Sequence, residues 1–153
     1  MASDKLLYRA SRNGWAASNF HSCCDNKGPT VTVIKSGNYI FGGYTEQEWK
    51  ASGDWRKAPG SFLFSLVNPS GLPPTKMPLK PEKERYAIYC RSDCGPIFGR
   101  GHDLVIVSEP NSNDCWASLN NSYQCPTGQY GTTFLTGKKD FTVSEMEVFV
   151  IDE

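Results

Sequence analysis

Short runs of β-branched and aromatic residues, bounded by Gly, Pro or Asn, recur along the whole chain. Such runs favour strands, because branched and aromatic side chains pack well on a pleated surface. Thr30–Lys35 and Tyr39–Tyr44 flank Ser36-Gly37-Asn38, a sequence that suits the tight turn of a hairpin. Further runs are Ser61–Val67, Tyr86–Cys90, Asp103–Val107 and Phe141–Ile151. The pattern predicts a mainly β fold, a two-sheet antiparallel β-sandwich whose short flanking helices make up less than about a fifth of the chain.

Helical signals are sparse. Ala16–Cys24 and Glu46–Lys50 are the credible short helices. Pro69–Thr75 and Pro78–Pro81 mark one long irregular connection, but no linker, internal repeat or low-complexity tract divides the sequence. A chain of 153 residues has a length typical of one domain, so we predict a single domain over residues 1–153.

Charge and hydropathy narrow the range of partners. Lys and Arg number 16, and Asp and Glu also number 16, so the formal net charge is zero. A duplex-binding domain needs a basic face to displace phosphate counterions, and the sequence has no Lys/Arg run of that kind. Apolar stretches such as Phe62–Val67 and Val148–Ile151 are far shorter than the ~20 residues of a bilayer-spanning helix. We therefore expect no nucleic-acid binding and no membrane insertion.

Six cysteines in a chain of this length raise the question of its redox environment. Their spacing does not match a zinc site, since there is no Cys-x-x-Cys pair and only two histidines could add ligands. A disulfide framework in a secreted protein is the favoured interpretation, with Cys115 and Cys125 bridged across a polar loop. Adjacent Cys23 and Cys24 can hardly bond to each other without strain, so one of them is predicted to link two copies in a homodimer.

The expected location is therefore extracellular. Met1–Lys5 lacks the apolar segment of a signal peptide, so we expect a mature chain or export by another route. Asn120-Asn121-Ser122 forms an N-glycosylation sequon, which is compatible with a secreted surface loop.

Five segments resemble, in their order along the chain, the TLDc domain of oxidation-resistance proteins. They are Leu6–Trp15, Gly28–Ile34, Phe41–Tyr44, Phe98–Leu104 and Glu145–Val148. The resemblance spans almost the whole chain and implies a TLDc-like two-sheet β-sandwich with small flanking helices. Intracellular members of the family are linked to oxidation resistance and to regulation of proton-pumping ATPases. An intracellular protein-interaction domain is therefore the alternative function that this resemblance implies.

The segment Gly101–Gly137 is the most informative one for a binding site, because it contains no Lys or Arg and is rich in Asp, Glu and Asn. Calcium prefers six to eight oxygen ligands from carboxylates, amides and carbonyls in a flexible loop. Glu109, Asn111 and Asp114, with Asp103 as a fourth member, are the predicted Ca²⁺ ligands. The alternative is a turn in which these side chains cap backbone groups.

A sugar site is predicted at the same loop. Glu109-Pro110-Asn111 resembles the Glu-Pro-Asn sugar motif of C-type lectins, whose calcium ligands also hold sugar hydroxyls. The chain further resembles small secreted galactose-binding lectins of sea-anemone type, and only this resemblance implies terminal galactose. The predicted sugar-binding residues are Glu109, Asn111, Asn113, Asp114 and Trp116. Trp116 would stack on the apolar face of the pyranose, with core burial as the alternative, and Trp49 or Trp55 could serve equally.

Catalysis finds less support in the sequence. A nucleophilic Ser or Cys needs a histidine base, but His21 lies in a predicted helix and His102 lies in a Gly-His-Asp pattern that looks structural. We expect no enzyme activity. The primary hypothesis is a secreted, calcium-dependent lectin for glycans with terminal galactose. The alternatives are an intracellular TLDc protein-interaction domain and a peroxide-defence protein that acts through cysteine.

Overall fold

The computed structural model describes residues 5–151, in which strands predominate and helices are short. The strands are β1 Leu6–Arg9, β2 Thr30–Ser36, β3 Tyr39–Thr45, β4 Asp54–Arg56, β5 Phe62–Val67, β6 Thr75–Pro78, β7 Ile88–Cys90, β8 Cys94–Phe98, β9 Leu104–Val107, β10 Cys115–Ala117, β11 Asp140–Phe141 and β12 Glu145–Val150. The main helical segments are α1 Ala10–Asn13, α2 Ala17–Cys24 and a 3₁₀ helix, Pro81–Tyr86. With 13% helix, the predicted mainly β fold is confirmed. None of the helices between residues 5 and 151 is long and apolar enough to cross a membrane.

The strands form two antiparallel sheets, as predicted. Sheet 1 has the order β1-β12-β2-β3-β5-β6, and sheet 2 has the order β11-β10-β9-β8-β7-β4. The predicted hairpin is β2–β3, in which Ser36 pairs with Tyr39 around Gly37-Asn38. Gly37 has a φ of 59°, a left-handed conformation that suits the first central residue of a tight hairpin turn.

The two sheets pack face to face around large buried side chains. Gly43 of β3 lies against the Phe98 ring of β8, and a Cβ atom added at Gly43 would come within 2.6 Å of that ring. Trp49 packs beside it, with its ring centroid 5.5 Å from that of Phe98. Its indole N–H donates to Thr30 Oγ1 at 3.1 Å. The close approach of β3 and β8 therefore requires glycine at position 43.

One predicted helix is wrong. Glu46–Lys50 is an irregular segment after β3, and the side chain of its residue Trp49 is buried in the core at 1% exposure. The Trp49 carbonyl accepts the N–H of Asn26 at 2.9 Å, which fixes the segment against the end of α2. Burial of an indole outweighs a helix of about one turn, whose nucleation is unfavourable. Tyr86, predicted to begin a strand, instead ends the 3₁₀ helix.

Side chains as well as backbone pairing join β1 to β12. Arg9 Nε donates to Glu147 Oε2 at 2.7 Å, and the Ser11 backbone N–H donates to Glu145 Oε1 at 3.1 Å. These residues belong to the first and the last of the segments that resemble TLDc. The first and the last of these segments therefore share one structural role, since together they join strand β1 to strand β12.

We expect Gly43→Ala to lower the free energy of unfolding by roughly 1–3 kcal/mol, because the added methyl group would overlap the Phe98 and Leu63 side chains. Urea denaturation measures this loss. Phe98→Leu in the Gly43→Ala background should recover part of it, since the smaller side chain leaves room for the methyl group. Strictly additive losses in this double-mutant cycle would contradict the packing argument.

Candidate functional site

The loop after β9, which holds most of the predicted calcium ligands, is a turn closed by its own backbone. Glu109 has a φ of 54°, and its carbonyl accepts the N–H of Asn113 at 3.0 Å. The side-chain amide of Asn113 donates to the Ser108 carbonyl at 3.2 Å. The side chains of Glu109, Asn111 and Asp114 are exposed. The Asn113 amide thus caps a backbone group, as the alternative interpretation of this segment requires.

Asp103, the predicted fourth calcium ligand, lies elsewhere and is fully buried. Its carboxylate accepts backbone N–H groups from the loop after β10, namely those of Asn121 at 3.1 Å, Ser122 at 3.0 Å and Tyr123 at 2.9 Å. Burial raises the pKa of Asp103 to about 6, although the hydrogen bonds from these three N–H groups act in the opposite direction. The carboxylate therefore anchors a loop.

Within residues 5–151, no group of three or more His, Cys, Asp or Glu side chains is arranged to hold a metal ion. Asp114 does line an open cleft of about 370 Å³, together with Lys138 and Asp140. A calcium site would have to draw on amide and carbonyl oxygens beside Glu109, Asn111 and Asp114. Calcium binding at this loop stays a prediction.

The cysteines are distributed over several elements and are unpaired in this structure. Cys115 points into the core from β10, whereas Cys125 is half-buried in a loop and donates to the Gln129 carbonyl at 3.5 Å. Cys23 and Cys24 lie in α2, and Cys24 is fully buried. The Cys115–Cys125 bridge and the disulfide-linked dimer stay predictions.

Most of the thiols are in surroundings that suppress the thiolate. Burial raises the pKa of Cys90 to about 11 and that of Cys115 to about 12. Burial also raises the pKa of Cys24, Cys94 and Cys125. The thiolate is the form that reacts with peroxide, so these environments give no support to a peroxide-defence function. Of Met1–Lys5, on which the signal-peptide prediction rests, residues 1–4 lie outside the described residues.

The outer face of sheet 2 carries a continuous row of apolar side chains. Directly paired residues on five neighbouring strands form this outer row, which consists of Trp55, Tyr89, Ile97, Val105 and Trp116. Ile97 and Val105 are only 1% exposed although they point away from the core, because Tyr89 and Trp116 pack over them. Directly opposed apolar side chains stabilise a sheet, and here the two ends of the row are tryptophans.

Aromatic rings from neighbouring loops extend the outer row. His102 lies between the two tryptophans, with ring-centroid distances of 6.3 Å to Trp55 and 6.3 Å to Trp116. Trp55 also contacts Tyr89 at 4.6 Å and Tyr86 at 5.8 Å. We call these five rings, Trp55, Tyr86, Tyr89, His102 and Trp116, the ring cluster. All five side chains are partly exposed.

The tryptophans of the ring cluster lean towards each other. Four strand spacings of about 4.8 Å separate their backbones by about 19 Å. Because each indole is 6.3 Å from His102, the two indoles lie within about 13 Å of each other. Their N–H groups have no hydrogen-bond partner within residues 5–151 and are not buried, in contrast to that of Trp49. The ring cluster is thus a partly exposed aromatic surface with free donors.

A family model described as the TLDc domain matches residues 1–152. The chain belongs to the TLDc domain family. This establishes the resemblance seen in the sequence, whereas neither the family nor the relatives below support a lectin.

Similar proteins include two forms of a protein called MTOR-associated protein MEAK7. The Danio rerio protein is 30% identical over 63 residues, which cover 40% of this chain and 14% of the relative. The Gallus gallus protein is 21% identical over 169 aligned residues, which cover 97% of this chain and 31% of the relative. Interferon-induced protein 44 of Pan troglodytes is 38% identical over 61 residues, which cover 40% of this chain and 13% of that protein. The chain spans less than a third of the length of each.

One segment of this TLDc domain serves both the core and the ring cluster. Gly99 and Gly101 have φ angles of 89° and 100°, and His102 has one of 60°. A Cβ atom at Gly101 would lie 2.6 Å from Cβ of Asn121, so glycine lets the two loops touch. The turn directs His102 towards the tryptophans and Asp103 into the buried loop anchor. Within the Gly-His-Asp pattern, Gly101 and Asp103 therefore have structural roles, whereas His102 lies at the partly exposed ring cluster.

Sequence reasoning found Trp116 and Trp55 as candidate surface aromatics but missed the surface they form. Trp49, weighed equally with them, is in the core. The missed signal was Leu104–Val107, four apolar residues in a row in a strand expected to have one face towards water. Such a run indicates that both faces of the strand are covered. Here aromatic side chains provide the outer cover.

The raised pKa of the buried Asp103 carboxyl group predicts how the stability of the protein depends on pH. The pKa of Asp103 is about 6 in the folded protein and 3.8 for the ordinary side chain, so the folded state binds this proton more tightly. The contribution of this group to stability is therefore fully present below pH 4 and is lost as the pH rises through 6. We expect the free energy of unfolding of wild type, relative to Asp103→Asn, to fall by about 2–3 kcal/mol between pH 4 and pH 7.

Urea denaturation across that pH range measures the difference, in which the other titrating groups cancel. Asp103→Asn should itself be less stable, because its NH₂ group would face backbone N–H donors. A carbon-13 NMR titration of the Asp103 carboxyl group in wild type provides the direct control. Parallel stability profiles, or a titration midpoint near the ordinary value, would refute the argument.

Proposed function

We propose that this TLDc domain is a protein-interaction module whose binding surface is the ring cluster. The observation that carries the proposal is a row of apolar side chains on the outer face of sheet 2, ending in Trp55 and Trp116 with free indole donors. Trp, Tyr and Arg dominate the residues that contribute most to protein interfaces. The ring cluster contains the first two, and Arg100 lies over the Tyr86 ring at 4.7 Å.

Sheet 1 also has apolar side chains on its outer face, and these are the competing surface. Its exposed members Leu66 and Val67 are 42% and 43% exposed. Leu and Val are under-represented among the residues that contribute most to interfaces. The Phe62 ring on this face is already covered by Lys76, whose Nζ is 4.4 Å from the ring centroid. The ring cluster is therefore the better-suited surface.

The relatives supply candidate partners. MEAK7 is named as associated with MTOR, and the TLDc resemblance links intracellular members to proton-pumping ATPases. This chain corresponds to only part of MEAK7, so association with either partner is a proposal for this domain.

We expect Trp55→Ala to reduce capture of the partner by at least about tenfold, because the side chain joins Tyr86, Tyr89 and His102 into one surface. The full chain would be immobilised, incubated with cell extract and probed for MTOR and for proton-pumping ATPase subunits. Leu66→Ser on sheet 1 is the matched control and should retain capture. Loss with Leu66→Ser but not with Trp55→Ala would move the binding surface to sheet 1, and capture that is equal with all three proteins would refute both.

The lectin hypothesis has its own test. We expect no heat of lactose binding, either in calcium or in excess EDTA, because the Asn113 amide caps its own turn and Asp103 is occupied by backbone N–H groups. Isothermal titration calorimetry measures this directly. Lactose binding that requires calcium would contradict the interaction module and restore the predicted site at Glu109, Asn111 and Asp114.

A further inference from the structure

We propose that the ring cluster binds a proline-rich segment in the polyproline II conformation, with an acidic residue beside Arg100. This rests on the proposed function and specifies the chemistry of the partner. Three features of the cluster carry the proposal: the angles between its rings, its free hydrogen-bond donors and its charge.

The rings of the cluster stand at different angles to one another. The Trp55 plane is 87° from that of Tyr86 and 81° from that of His102, but only 37° from that of Tyr89, and the His102 and Trp116 planes are 22° apart. The surface therefore presents both faces and edges of aromatic rings. Proline-rich segments dock on surfaces lined by aromatic side chains, and the polyproline II helix loses little conformational entropy on binding.

The donors of the cluster match such a segment. The indole N–H groups of Trp55 and Trp116 are not fully buried, have no hydrogen-bond partner within residues 5–151 and can only donate. A polyproline II helix has no internal hydrogen bonds, so its carbonyl groups are free to accept. The two indole donors therefore match the free carbonyl groups of such a peptide. The hydroxyls of Tyr86 and Tyr89 can also accept hydrogen bonds, so a glycan is distinguished by the lactose competition described below.

The positive charge of Arg100 is the reason to expect an acidic residue in the bound segment. Arg100 is exposed at the Tyr86 end of the cluster, and it takes no part in the ion pairs formed within residues 5–151. Arg9 and Arg91, by comparison, are each paired with a carboxylate. A guanidinium that is held over a ring and lacks an ion-pair partner is suited to a carboxylate of the bound segment.

The test uses two synthetic polyproline peptides of about ten residues, which at ~3.1 Å per residue exceed the length of the outer row. One carries glutamate at both ends and the other carries lysine, so the orientation of binding does not matter. Tryptophan fluorescence of the full chain follows the titration. We expect the glutamate peptide to bind at least about tenfold more tightly than the lysine peptide, and Trp55→Ala to weaken it by a similar factor. Leu66→Ser should bind like wild type.

Arg100→Glu provides an independent test, because this exposed residue can change without loss of packing in the core. It should reverse the preference between the two peptides. An unchanged preference, or the absence of any peptide binding, would overturn the proposal. If Trp55-dependent capture of a protein persisted without peptide binding, only the partner chemistry would be wrong and the proposed function would stand. Displacement of the peptide by lactose would instead identify the face as a glycan site.

Discussion

The buried carboxylate of Asp103 holds together the parts of this TLDc domain that its strands do not reach. The chain between β10 and β11 runs for about twenty residues without a strand, a length that is uncommon for a loop in a compact domain. Asp103 provides the anchor by accepting N–H groups from Asn121 to Tyr123. An ionised or partly ionised carboxylate tolerates burial only because these donors replace water. The pKa of Asp103 is nevertheless raised, because these hydrogen bonds do not fully compensate for the water that the buried carboxylate has lost.

The anchor also determines where the surface rings lie. Tyr123, fixed by Asp103, donates its hydroxyl to the Ala87 carbonyl at 2.7 Å, at the junction between the 3₁₀ helix and β7. That junction carries Tyr86, a member of the ring cluster. On the other side of Asp103, the left-handed turn at His102 places the imidazole between two tryptophans. The turn at residues 99–103 thus connects the buried Asp103 carboxylate with both sides of the ring cluster. The positions of the exposed rings therefore depend on a buried interaction.

The sequence allowed much of the fold to be predicted, because strands such as Thr30–Ser36 alternate or cluster branched residues between strong turn signals. It did not reveal short strands such as Asp54–Arg56 and Cys94–Phe98. The first has three residues, and the second contains Gly95 and Pro96, which locally argue against a strand, so only pairing with neighbours makes them strands. The same limit applied to the site. The members of the outer row are far apart in sequence, and cross-strand register, which no local pattern specifies, brings them together.

The outer faces of the two sheets differ in what protects their apolar side chains from water. On sheet 1 a row also crosses the strands, from Phe149 through Val31 and Tyr44 to Phe62. The charged side chain of Lys76 lies over Phe62 at one end of this row, and the methylene groups of a lysine can cover apolar surface while its charge stays hydrated. On sheet 2 the cover is made of the aromatic rings of the ring cluster. These rings shield Ile97 and Val105 from water, but they are themselves partly exposed. The tryptophans at the two ends of the row stabilise the sheet where they pack over it, but they also leave aromatic surface in contact with water, which charged side chains would not do. The aromatic cover thus has two parts: the buried part stabilises the sheet, and the exposed part is the surface that the proposed interaction would use.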